Sequence, residues 1–246
     1  MALFTDRAVP SVQELLKYDA NLLEIGSAYN LDSAEKLNIA REQVATEIEA
    51  FLRRERLGVS LGSVVVTEPL RRWVMERALA LIYRDAYYGQ LHERYRAKWL
   101  EYDKLARETK RFVYENGLGC VRNPIPRAMR PVVTVTTGLL PAGTYFVRMS
   151  WVGTGGQTGH ASEVATVTLT APGGLLISPA SVPDGVSGWH VYAGELEDKV
   201  RKQNSGALGI PGSWQVEGPE LGEGDPPSAG QDPDFFVTAS NGLQRG

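Results

Sequence analysis

Residues 67–116 read TEPLRRWVMERALALIYRDAYYGQLHERYRAKWLEYDKLARETKRFVYEN. The stretch has no proline after Pro69 and a single interior glycine, Gly89. Steps of three and four residues link Val74, Ala78, Leu81, Asp85, Tyr88, His92, Tyr95, Trp99, Tyr102, Ala106, Thr109 and Val113. Most of these are apolar or aromatic, the spacing of one buried seam on a helix. Thr67 suits the N-cap, Pro69 the first turn, and Asn116-Gly117 the stop. At 1.5 Å per residue an unbroken helix would be roughly 70 Å long. It either breaks near Gly89 or forms a long arm in a helical assembly.

Outward from this stretch the composition changes. Residues 1–127 hold 20 Lys+Arg and 18 Asp+Glu, but only 6 of the 26 glycines and 4 of the 14 prolines. Residues 128–246 hold the remaining 6 basic and 11 acidic residues. The expected class is therefore α+β and multidomain. A helical bundle with one long helix spans 1–123 and a Pro-containing linker 124–131. An antiparallel β-sandwich spans 132–217, and an acidic Pro/Gly-rich tail 218–246.

Before the long stretch, Ser11 and Glu14 have capping-box spacing, with Val12, Leu15 and Leu16 on the buried side of a short helix. Leu22, Leu23, Ile25 and Tyr29 continue an apolar pattern that Gly26 weakens. Asp32 and Glu35 open a second helix, whose apolar positions Leu37, Ala40, Val44, Ile48, Phe51 and Leu52 carry it to about Arg56. After the linker, strands are expected over 132–137, 143–152, 163–170, 175–178, 188–193 and 213–216. Tyr145, Val147, Met149 and Trp151 share one face, as do Trp189, Val191 and Ala193. Phe235-Phe236-Val237 has the character of an edge strand.

Chemistry is sparse. The net charge of −3 selects neither nucleic acid nor membrane. The single cysteine, Cys120, excludes an internal disulfide and fits a reducing compartment. The beginning lacks a signal-peptide core and no run approaches a membrane span, so synthesis in the cytoplasm is expected. Asp85 and His92 lie on one helix face but have no further ligands near them. A structural pairing with Arg84 or Arg96 is the better reading. His160, Ser162 and Glu163 sit in a glycine-flanked loop, where proximity in sequence does not make a triad. The 153–159 run GTGGQTG lacks the lysine of a phosphate loop and lies between strands. Cys120 reads as a buried thiol. Arg53, Arg54, Arg56, Arg71 and Arg72 are interspersed with acids and read as a solvated or subunit-pairing face. No catalytic, cofactor or metal residues are expected. Aromatics are denser than one amphipathic helix needs, which marks Trp73, Tyr87, Tyr88, His92, Tyr95 and Trp99 as candidate subunit-interface residues. Arg71, Arg72, Phe235 and Phe236 join them.

The run YDANLLEIGSAYNLDSAEKLNIAREQVATEIEAFL (18–52), followed by the long stretch, resembles the helical head–tail connector proteins of tailed bacteriophages. The resemblance covers about Ser11 to Arg127. The second half is similar to immunoglobulin-like or fibronectin type III-like modules. That similarity rests on GTYFVRMSWV (143–152), Gly156-Gln157, Ala161-Ser162-Glu163 and GWHVY (188–192), without an immunoglobulin cysteine pair. The resemblance implies a non-enzymatic virion protein at the neck. It would form an oligomeric ring, twelve-fold in the usual case, between the portal and tail or stopper proteins. DNA would pass through without sequence-specific contact, and no membrane or cofactor would be involved. Two other expectations stand beside it. One is a tail-completion or stopper protein. The other is a surface- or carbohydrate-binding module on a helical stalk, which exposed Trp151, Trp189 or Trp214 would favour.

Overall fold

A computed structural model describes residues 1–23, 32–55, 58–216 and 218–239, with the side chain of Gln90 left aside. Ile25, Gly26, Tyr29, Arg56 and the end of the acidic tail lie outside the described residues. The chain divides into two compact units. The helical unit comprises Arg7–Arg122 and the segment from Pro233 onward. The β unit comprises Met1–Asp6 and Asn123–Asp232. The α+β class expected from composition is the one observed.

In the helical unit, α1 (Val12–Tyr18) starts on a full capping box. The Ser11 hydroxyl accepts from the Glu14 amide, and the Glu14 carboxylate accepts from the Ser11 amide. Helix α2 (Ser33–Glu55) begins at Asp32, whose Oδ1 accepts from the amides of Ala34 and Glu35. All six of its expected apolar positions are buried. The long stretch is two helices, α3 (Glu68–Gln90) and α4 (Glu93–Asn116). The break expected near Gly89 is therefore present, and the one long helix of the expected bundle is corrected to two. The break is not at Gly89, which stays helical. It falls at Leu91 and His92, where Leu91 takes the left-handed conformation at φ 54°. Its amide still donates to the Tyr87 carbonyl at 2.6 Å and closes the last turn of α3. The His92 Nδ1 accepts from the Arg94 amide and caps α4. Thr67 has N-cap backbone geometry but makes no side-chain cap.

Reversal at Leu91 turns one extended seam into two half-seams of an antiparallel hairpin. Helix α3 becomes the centre of its unit. Leu70, Trp73, Val74, Ala78, Leu79, Ile82 and Tyr83 are all buried, and they occupy more than one side of the helix. Phe51 of α2 stacks on Tyr114 of α4 at 4.1 Å, and Trp73 meets the same ring edge-on. Two buried carboxylates fix the register. Asp19 accepts from the hydroxyls of Tyr83 and Tyr102, each at 2.8 Å. Glu76 accepts from Arg72 Nε and the Thr109 hydroxyl, each at 2.7 Å, and from Tyr18 at 3.4 Å. Strand β1 (Leu118–Cys120) follows α4 and pairs antiparallel with β9 (Phe235–Val237), Leu118 opposite Val237. Val64 bridges to the other edge at Cys120. The expected edge strand 235–237 is thus present, joined to the helical unit.

In the β unit, one sheet has the order β2-β5-β8, formed by Val132–Leu140, Gly173–Ser178 and Trp214–Gln215. The other has the order β4-β3-β6-β7, formed by Ala165–Leu169, Gly143–Gly153, Val186–Gly194 and Arg201–Lys202. All pairings are antiparallel. The faces read by alternation are buried: Tyr145, Val147, Met149 and Trp151 on β3, and Trp189, Val191 and Ala193 on β6. They pair across strands as Val147 with Ala193, Met149 with Val191 and Trp151 with Trp189. Leu175 and Ile177 of the other sheet belong to the same core. Residues 124–131 contain no helix or strand, as two close prolines require. They are not a free tether, because Ile125 and Ala128 are buried in this core. The Ile125 amide donates to Gln231 at 2.7 Å, which brings the acidic segment into the unit through Gln231.

Candidate functional site

The hairpin of α3 and α4 holds most of the marked residues: Trp73 and Tyr95 are buried, Tyr87 and Trp99 half-buried, and Tyr88 and His92 exposed. Trp73 and Tyr95 are buried within their own unit. They have no surface left for another subunit and act as core, which corrects their assignment as interface residues. Tyr87, Tyr88 and Trp99 come together at the closed end of the hairpin, with ring centroids 5.7–6.2 Å apart. Tyr88 is 64% exposed and the adjoining Leu91 69%. Leu100 follows at 49%. His92 is exposed, its ring 5.7 Å from that of Tyr95. The tip therefore presents Tyr88 and Leu91 to solvent over the half-buried rings of Tyr87 and Trp99.

Leu91 was missed by sequence reasoning and is the most informative residue of the tip. A left-handed leucine costs about 1–2 kcal/mol relative to ordinary backbone, and glycine fits the same φ freely. Its side chain packs little within the chain, so what offsets the strain there is the cap bond from its amide to the Tyr87 carbonyl. Strain of this kind concentrates at functional positions.

At the other end of the hairpin, Pro69, Leu105 and Phe112 form the apolar floor of a groove of about 520 Å³ between α3 and α4. Its rim carries Glu68, Glu108 and Glu115 against Arg72 and Arg111. Phe112 is 51% exposed. It lies off the seam of α4, as does Leu100. An apolar residue outside the helical stripe is the signal that could have found both. The marked residue Arg72 turns inward to Glu76, and Arg71 pairs with Glu14 and Glu68. Arg53 and Arg54 pair with Glu49 and Glu55. Phe235 is half-buried in β9, and Phe236 is exposed.

The candidate chemical groupings are occupied structurally. Asp85 pairs with Lys36 at 2.6 Å and with Arg84, while His92 serves as a cap. The Ser162 hydroxyl accepts from the Met149 amide and donates to the Glu163 carbonyl. The His160 Nδ1 faces the Ala161 carbonyl at 2.9 Å, and burial pushes the imidazole pKa down. Glu163 pairs with Arg127 and Arg130. These three side chains do not converge. The Cys120 thiol is buried in β1, which pushes its pKa up to about 11 and keeps it protonated at neutral pH. Among the described residues no group of three or more His, Cys, Asp or Glu side chains is placed to hold a metal, and no helix is long and apolar enough to cross a membrane. Trp151 and Trp189 are core, and Trp214 is half-buried. Comparison of the chain with protein-family models, with curated proteins and with solved structures found no match.

Proposed function

We propose that the chain is a non-enzymatic structural subunit of a bacteriophage virion neck. Its helical unit assembles into a closed ring between the portal and the tail, and packaged DNA passes through without sequence-specific contact. The observation that carries the reading is the exposed pair Tyr88 and Leu91 at the tip of a well-packed hairpin, with the half-buried rings of Tyr87 and Trp99 beside Tyr88. A monomer gains nothing by exposing it, whereas a neighbouring subunit would bury it. The resemblance of residues 11–127 to head–tail connectors supplies the place in the particle.

The β unit fits an immunoglobulin- or fibronectin III-like module that decorates the neck or contacts capsid, tail or host surface. Support comes from its three-stranded and four-stranded antiparallel sheets, between which the chain crosses from β2 to β3, β4 to β5, β5 to β6 and β7 to β8. The reading as a carbohydrate-binding module on a stalk loses its main support, because Trp151 and Trp189 are inside the core.

Electron cryo-microscopy of the chain mixed with its portal, or of the assembled particle, tests the proposal. The expected result is a closed ring at the portal–tail junction with α3 and α4 at subunit contacts. Density only on fibres or the outer shell, with no ring, would overturn it. A ring placed below the connector position would instead identify a stopper or tail-completion protein.

A further inference from the structure

The two sheets of the β unit end in four edge strands, and three of these are short. Strand β7 is two basic residues, Arg201 and Lys202, and the Lys202 amide donates to the Asp225 carbonyl at 2.8 Å. Strand β8 is also two residues. Strand β4 has five, of which two are exposed. Strand β2 differs. It has nine residues, VVTVTTGLL (132–140), six of them exposed, with no charge and no proline. Shortness, charges and prolines are the devices that normally keep a sheet edge from pairing. Strand β2 pairs with β5 alone, and among the described residues no other backbone–backbone hydrogen bond reaches Val132–Thr136. Alternate residues of an antiparallel strand turn their N–H and C=O groups to opposite edges. The outer edge of β2 therefore carries unpaired groups that another strand can bond.

The side chains beside that edge are uncovered as well. Residues opposite each other in an antiparallel pair share a face. Val133 stands opposite Ile177 and Val135 opposite Leu175, both fully buried in the core, so the two valines lie on the core face. Val135 is nevertheless 53% exposed. The core stops short at β2, and one more strand with an apolar residue on that face would cover it. The other face offers Val132 and Thr134, both exposed.

From the free edge and the uncovered valine we infer that β2 pairs with β2 of a second copy, antiparallel about a two-fold axis. Identical strands related in this way set residues of the same face opposite each other. With the axis at Thr134, Val133 meets Val135 and Thr134 meets its counterpart. With the axis at Val135, Val135 meets its counterpart and Thr134 meets Thr136. Either way valine covers valine on the core face, and threonine meets threonine on the other. The chain already joins β3 to β4 with such a pair, the hydroxyls of Thr144 and Thr168 lying 3.2 Å apart. The contact is isologous and closes at two copies. It is separate from the ring contacts proposed above and does not depend on them. With about five residues a side, against roughly 20–30 in a standard interface, the pair is weak and forms at high chain concentration.

The test is sedimentation equilibrium of the full chain together with amide hydrogen exchange over a range of concentrations. The unmodified chain is expected to dimerise, and alternate amides within 132–136 to gain protection as it does. Thr134→Lys/Val135→Lys replaces two exposed side chains, one on each face, and sets like charges against each other across either axis. It should weaken association at least tenfold. Thr134→Glu/Val135→Glu should do the same, and mixing the two variants should restore a dimer, which a misfolded strand could not do. Monomer at every concentration would overturn the inference. So would a dimer that the lysines leave unchanged, or a mixture that stays monomeric. Protection gained at 165–169 together with 132–136 would make β4 the partner strand and end the self-pairing. Protection of 132–136 that appears only with portal present would assign the edge to another protein's strand, with the same consequence.

Discussion

At the scale of single residues, Asp19 shows how the helical unit is tied together and how that tie responds to pH. Burial alone would raise its pKa. Hydrogen bonds from Tyr83, Tyr102 and Asn21 outweigh that effect and hold the carboxyl below its ordinary value. A folded pKa below the unfolded one contributes stability that is complete above the unfolded value, about 3.9 for aspartate, and is lost as pH falls through the folded value. The tyrosines respond in the opposite direction. Burial, and then the hydrogen bond to Asp19, raise the pKa of both Tyr83 and Tyr102, so their contribution is complete below about 10 and is lost at more alkaline pH. Urea midpoints measured across pH should therefore fall on both sides of a plateau, below about 4 and above about 10. Replacing Asp19 by alanine strands two buried hydroxyl donors and should cost about 3 kcal/mol in urea unfolding at pH 7, with the acid limb flattened. Asp19→Asn keeps an acceptor oxygen and should lose less.

At the scale of elements, the proposed assembly would set fold stability against association at the turn between α3 and α4. Leu91→Gly removes left-handed strain and should raise stability by about 1 kcal/mol by urea unfolding, while reducing self-association because the tip loses its aliphatic end. A stabilised chain that associates as well as before would mean that Leu91 has no role at an interface. The strand pair β1–β9 makes a sharper demand on sequence. Gly117 sits at φ 114°, and a Cβ there would lie 2.7 Å from the Phe236 Cβ. Gly117→Ala should therefore displace β9 and cost about 2 kcal/mol or more, with loss of amide-exchange protection confined to residues 117–121 and 234–238. The sequence made some of this legible. Capping residues Ser11 and Asp32 and the alternation along β3 and β6 are local signals, and they located their elements. The exit from α3 left no such mark, because leucine is a poor predictor of left-handed backbone, and the more obvious Gly89 drew the break two residues early. The pairing of β1 with β9 was equally silent in local sequence. It joins three residues to three others more than a hundred positions away.

At the scale of the whole molecule, the composition shift located the boundary between helical and β units but not which unit each chain end joins. The first six residues belong to the β unit, where the Asp6 carboxylate accepts from the Arg127 amide at 2.9 Å, and Ala2, Leu3 and Phe4 are buried. The segment from Pro233 belongs to the helical unit, where Asp234 donates from its amide to the Cys120 carbonyl and accepts from the Arg122 amide. Each unit is therefore closed by a segment that approaches it from the far end of the chain, and the two closures can be tested separately. Deleting residues 1–6 removes three buried side chains and the Asp6 contact, so it should lower the melting temperature of the β unit by several degrees and leave the helical transition near its place. Deleting residues 233–246 removes β9 and uncovers the Leu118 strand, so the helical transition should fall while the β transition stays. Differential scanning calorimetry of the full chain and the two deletions decides the matter. If both deletions shift both transitions equally, the two units unfold as one cooperative block, and the assignment of each end to a single unit has no thermodynamic meaning. If each shifts only its own unit, the ends act as two independent fastenings. In that case the helical unit is completed by residues that the chain reaches only after the whole β unit has been made.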